Sequence, residues 1–141
     1  MENRLNRSPQ DTGGAAASRY LLDSLACVTE HLSGAVCLSV SGELDLAAVP
    51  TFLGNLGRAS EAATNVIVDV RGLRYIDSAG INSLLDAHRR FRRAGRHIVL
   101  AAPSQMMIRI LSIVSLEEAV PIFPTVEDAL RSFAGKARRR A

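Results

Sequence analysis

The chain has 141 residues, 48% hydrophobic and 22% charged, the balance of one ordinary globular domain with short tails. No apolar run approaches the roughly 20 residues that cross a bilayer, and residues 1–20 lack the apolar heart of a signal peptide, so the expected address is the cytoplasm. The formal charge of +3 belongs mostly to the tail: subtracting the four charges of Lys136, Arg138, Arg139 and Arg140 leaves −1 for the rest, and with no Trp and 4% aromatics neither a basic face nor a base-stacking platform for nucleic acid is indicated.

Residues 1–23 are polar around Gly13-Gly14-Ala15-Ala16-Ala17-Ser18 and read as a mobile leader, with a short ordered piece near Tyr20-Leu21-Leu22. LACVTEHL and AVCLSVSG then flank Ser33-Gly34, a hairpin signal. In the second strand Val36, Leu38 and Val40 alternate with Cys37, Ser39 and Ser41, which predicts one face in the core. A two-residue turn would pair Leu32 with Ala35, Glu30 with Cys37 and Cys27 with Val40. Cys27 and Cys37 would then lie on opposite sheet faces, although a one-residue slip in the turn reopens a disulfide. Both are read as reduced thiols, and neither has metal-ligand spacing with the three histidines.

In GELDLAAVPTFLGNLGRAS, Asp45 suits a helix cap and Pro50 a first turn. Val49, Phe52, Leu53 and Leu56 make one helical stripe. NVIVDV (65–70) is a continuous apolar run and predicts a strand buried on both faces, broken at Arg71-Gly72. After Gly80 a helical stripe of Ile81, Leu84, Leu85, His88 and Phe91 runs to Gly95. RHIVLAAP is a further buried strand. Ser104 caps a helix with Met107, Ile108 and Leu111 on one side, and a helical turn is expected over Ser115 to Ala119. VPIFP reads as a short edge strand. Thr125 opens the last helix, with Glu127 and Asp128 in its first turn and Val126, Leu130 and Phe133 on its buried side. The order β β α β α β α (β) α predicts an α/β domain over 24–134 whose sheet has parallel members, between the leader 1–23 and a basic tail 135–141.

The corner Asp77-Ser78-Ala79-Gly80 joins strand to helix and admits two readings. Either Asp77 or Ser78 can cap the helix, worth about 1 kcal/mol. Alternatively the serine is displayed for chemistry. Gly80 costs about 1 kcal/mol against Ala in a first turn, and with Ala79 it leaves the hydroxyl unshielded, as suits a place that another protein approaches closely. Free N–H groups and the positive dipole end at a helix start also tolerate a phosphate. A partner fitted to a neutral hydroxyl would not tolerate a charge near −2. A loss of about 3–4 kcal/mol weakens an interface several hundred-fold.

GELDLAAVP, VIVDVRGLRYIDSAGINSLL and GRHIVLAAP, in that order, resemble the STAS domain, and specifically the bacterial anti-sigma factor antagonists. The resemblance runs from about Leu25 to about Phe133 and includes FPTVEDAL. It implies a small mixed sheet of four to five strands with helices packed mainly on one face. It also implies a non-enzymatic protein that binds an anti-sigma factor and so releases a sigma factor. In the family that partner is often an ATP-dependent serine kinase, which binds the ATP itself and ends the interaction by phosphorylating the antagonist. By motif the modified residue is Ser78, and Asp45, Asp77, Ala79, Gly80 and Asn82 join it as expected partner-binding residues. No cofactor, nucleic acid or membrane is implied, and a monomer or weak dimer is expected. Residue 79 is Ala where many members have a second serine, so the target serine is unambiguous; Ser83 is a lesser candidate acceptor.

Other readings have weaker support. The alternative within the same family is a scaffold module in another signalling complex, with Ser78 only a cap. An elbow nucleophile requires Gly-x-Ser-x-Gly, whereas residues 76–80 are Ile-Asp-Ser-Ala-Gly. His31, His88 and His97 sit in structural places. Asp69 as a receiver-type phosphoacceptor lacks an acidic cluster and a nearby lysine, since Lys136 is the only one; it reads as a turn or cap group. HRRFRRAGRH reads as a solvated helix end, or as a docking patch for an acidic surface. KARRR reads as a disordered solubilising end, with weak nucleic-acid or membrane contact as the lesser alternative.

Overall fold

The computed structural model describes residues 24–140; the leader lies outside the described residues, as do the side chains of 135–140. The strands are β1 (Leu25–Leu32), β2 (Ala35–Leu44), β3 (Asn65–Ile76), β4 (His97–Ala101) and β5 (Ile122–Phe123). The helices are α1 (Val49–Ala62), α2 (Ser78–Arg93), α3 (Gln105–Ile113) and α4 (Val126–Arg140), with single 3-10 turns at Leu46–Ala48 and Leu116–Glu118. One five-stranded sheet has the order β1-β2-β3-β4-β5. The β1–β2 pair is antiparallel and the other three pairs are parallel. Among the described residues no helix is long and apolar enough to cross a membrane.

The hairpin has the register expected of a Ser33-Gly34 turn: Leu32 faces Ala35, Glu30 faces Cys37 and Cys27 faces Val40. Both cysteines are free. Burial pushes the Cys27 thiol up to about 11, against a smaller pull from Arg58. Burial likewise raises Cys37, with a hydrogen bond to Ser39 opposing it. Neither thiol is poised to react near neutral pH.

The larger core joins Val36, Leu38 and Val40 of β2 and Val66, Val68 and Val70 of β3 to Phe52 and Leu56 of α1, Leu84 and Phe91 of α2, and Met107 and Leu111 of α3. The smaller core, on the other sheet face, joins Ala35, Cys37, Ile67, Val99 and Ala101 to Ala129 and Phe133 of α4. Three helices thus cover one face and one covers the other. This corrects the reading of β2 as buried on one face: its small residues Ala35 and Cys37 are buried too, because α4 lies over that side.

Three further expectations change. Arg71-Gly72 does not break β3, which runs on to Ile76 with register shifts against β2 between Ser39 and Ser41 and between Gly42 and Glu43. Gly72 is needed there because a Cβ would come within 2.7 Å of the Ser41 Cβ. Ile108 is exposed, and Ile110 is the α3 residue that packs beside Met107 and Leu111. The last helix continues to Arg140 in place of a disordered end at KARRR.

Asp69 is a local cap, as expected: its Oδ1 accepts the Arg71 N–H at 2.9 Å. Arg96, read within the solvated basic run, instead donates to the Ser60 and Ala63 carbonyls near the end of α1.

Candidate functional site

The parallel pairing of Leu44 with Ile76 ends β2 and β3 side by side. Asp45 and Asp77 therefore leave the sheet together. Both have extended backbones, and each carboxylate caps the turn that its residue opens. Asp45 Oδ1 accepts the Ala48 N–H at 3.0 Å and closes the 3-10 turn. Asp77 Oδ1 accepts the Gly80 N–H at 2.9 Å and opens α2. Asp77 Oδ2 reaches across to the Leu46 N–H at 3.1 Å, while the Asp77 N–H donates to the Leu44 carbonyl at 3.3 Å. One carboxylate thus fastens both corners.

The choice left open at the corner resolves in favour of Asp77 as the cap. Ser78 is the first residue of α2, it is exposed, and its hydroxyl makes no hydrogen bond with any described residue. Of the first N–H groups of α2, that of Gly80 is taken by Asp77 Oδ1 and that of Ile81 by the Asp77 carbonyl at 3.0 Å, while those of Ser78 and Ala79 have no acceptor among the described residues. An unencumbered hydroxyl at the positive end of a helix can be reached by a partner and can carry a phosphate without losing an internal bond.

Asp45, Asp77, Ser78 and Asn82 come together at this end; Asn82 is exposed and Ala79 half-buried. Gly80 is different. It is buried, and a Cβ on it would lie 2.2 Å from the Leu44 carbonyl oxygen and 2.8 Å from Ile76 Cγ1. The seating of α2 against the strand ends is enough by itself to require the glycine. Ser83 is also buried, and its hydroxyl donates to the Gly80 carbonyl at 2.7 Å, so it is closed off as an acceptor.

Two neighbours were not anticipated: Leu46 is 71% exposed and Tyr75 48% exposed. No sequence signal marked Leu46, which lies three residues before Val49 and seven before Leu53 and so shares their helical stripe. His88, farther along α2, has a buried Nδ1 with no hydrogen-bond partner among the described residues. Burial first, then Arg92, lowers its pKa, and a backbone hydrogen bond with Ile98 acts the other way. It is about three helical turns from Ser78, too far to serve it as a base.

A family model described as the STAS domain matches residues 26–129. The anti-sigma-F factor antagonist RsfA of Mycobacterium tuberculosis is 26% identical over 111 residues, covering 77% of this chain and 87% of that protein. Among solved structures, an anti-sigma factor antagonist from Mycobacterium paratuberculosis superposes with a TM-score of 0.71 at 22% identity, over 79% of this chain and 96% of the other. The anti-sigma factor antagonist SpoIIAA in its unphosphorylated form gives 0.64 at 24% identity, over 78% and 97%. The phosphorylated form of SpoIIAA, from Bacillus, gives 0.57 at 24% identity, over 76% and 98%. The structural likenesses show a shared fold, and with the family match over most of the domain the chain belongs to the STAS domain family.

Proposed function

We propose that this protein is an anti-sigma factor antagonist. Its unmodified form binds an anti-sigma factor that is also a serine kinase, and so frees a sigma factor; phosphorylation of Ser78 ends that complex. The observation that carries the reading is the exposed Ser78 hydroxyl at the start of α2, relieved of capping by Asp77. The relatives named as anti-sigma factor antagonists support the choice of partner. Asp45, Asp77, Ala79 and Asn82 surround the hydroxyl in this proposal, with Gly80 setting the backbone beneath them. ATP is bound by the partner, and this chain acts as its ligand and substrate. Sigma factors and ATP place the action in the cytoplasm.

The switch works by charge. A phosphate near −2 can accept from the open N–H groups of Ser78 and Ala79, so the fold keeps its stability. Against a partner shaped for a neutral hydroxyl, the same charge must lose its hydration, and binding falls several hundred-fold. The experiment is to mix purified protein with an anti-sigma factor kinase and ATP and to locate the phosphate by mass spectrometry. Phosphate on Ser78, none on a Ser78→Ala variant, and no binding by Ser78→Asp are expected. Unimpaired binding by Ser78→Asp would contradict the proposal and return the chain to the scaffold reading, in which Ser78→Ala leaves regulation unchanged.

A further inference from the structure

Resting on the function proposed for Ser78, we infer that Leu46 is the apolar anchor by which the anti-sigma factor grips the Ser78 surface, and that Asp77 is the positioning residue that holds it there. Leu46 belongs to neither core and is 71% exposed. A lone exposed leucine is ordinary on a protein surface. This one, however, is held by its backbone. Its N–H donates to Asp77 Oδ2 at 3.1 Å, from 31 residues away in sequence. Two residues on, Ala48 is buried and bonded to Asp45 Oδ1 at 3.0 Å. The turn that carries Leu46 is therefore fixed at both ends.

The other oxygen of Asp77 accepts the Gly80 N–H, and Ser78 is the residue that follows Asp77. A single carboxylate thus ties the backbone that carries an exposed leucine to the backbone that carries a displayed hydroxyl. Preorganisation of this kind removes the ordering cost that a loose surface leucine would incur on binding. Interface hot spots are apolar or aromatic groups seated in desolvated pockets, ringed by polar contacts. The partner chemistry that matches is an apolar socket next to a polar site that takes the serine hydroxyl. Leu46 then contributes affinity whether or not the hydroxyl is modified, and Ser78 decides whether the socket can be approached.

The test uses the full-length chain and a purified anti-sigma factor kinase that binds its unmodified form. Affinity is measured by calorimetry and phosphorylation by initial rates with ATP. Leu46→Ala is expected to weaken binding about thirty-fold, the worth of the apolar carbons removed. It should raise KM for this chain as kinase substrate with little change in kcat, and leave the melting temperature unchanged. Leu46→Met should restore most of the affinity and Leu46→Gln should not. Asp77→Asn keeps one oxygen for capping and loses the acceptor for Leu46; combined with Leu46→Ala it should bind little worse than Leu46→Ala alone. Wild-type affinity in Leu46→Ala, equal behaviour of Met and Gln, additive losses in the double variant, or a shift in oligomeric state in place of affinity would each overturn the inference. Failure of the unmodified chain to bind any anti-sigma factor would instead overturn the function on which it rests.

Discussion

Replacing Gly80 with Ala separates two accounts of the corner by the sign of the effect. Helix propensity alone favours Ala by about 1 kcal/mol. The packing opposes it. The added carbon would meet the Leu44 carbonyl oxygen at 2.2 Å, about 1.2 Å inside the 3.4 Å at which ordinary contact begins, and Ile76 Cγ1 at 2.8 Å. The carbonyl belongs to the end of a paired strand and cannot rotate away like a side chain. Relief requires the first turn of α2 to move outward by about an ångström, which forces a well-packed region and costs roughly 1–3 kcal/mol. The same movement strains the Asp77 cap and the Ser83 bond to the Gly80 carbonyl, adding about 1 kcal/mol. After the propensity gain the net loss is about 2 kcal/mol, or a melting temperature lower by about 10 °C for a domain of this size. Urea unfolding followed by circular dichroism measures it directly. A Gly80→Ala protein as stable as the wild type, or more so, would refute the packing argument.

Three other outcomes are expected from the geometry. Ser78→Ala should change stability by no more than about 0.5 kcal/mol, because the hydroxyl makes no hydrogen bond with any described residue. Asp77→Ala should cost about 2 kcal/mol, since it leaves both the Gly80 and the Leu46 N–H groups unpaired; parallel melting curves of the two variants give the comparison. His88, with its pKa lowered mainly by burial, should make stability pH-dependent. The unfolded chain takes up a proton near pH 6.5 while the folded chain still resists it, so stability is full above that value and falls as pH drops through it toward the folded pKa. Denaturation midpoints from pH 7.5 down to 5 should show that fall, and a His88→Gln variant should flatten it.

Much of the fold was legible because local signals and tertiary packing agree. The Ser33-Gly34 turn fixed the hairpin register, and the 49/52/53/56 stripe named the face of α1 that meets the sheet. What misled was residue type read without its neighbours. Arg71-Gly72 resembles a strand end, but β2 continues alongside and the glycine admits the close approach of Ser41. The second face of β2 looked open because its residues are small, and only the return of α4 across the sheet buries them. At the site, the motif singled out Ser78 and Asp77, but not which of them caps; that depended on a hydrogen-bond choice that either side chain could make. The packing constraint on Gly80 was not legible, since it comes from a carbonyl 36 positions earlier in the chain. Leu46 was not legible at all: it continues the alternation of β2 and lies three and seven residues before Val49 and Leu53, so periodicity places it on a core stripe, whereas the structure exposes it.

The most direct measurement compares the affinity of one purified anti-sigma factor for unmodified protein and for protein carrying a single phosphate at Ser78, with unfolding curves of both forms recorded alongside. A drop in affinity of several hundred-fold between two equally stable forms is the predicted result. Equal affinities, or a loss of binding that tracks a loss of folding, would contradict the account.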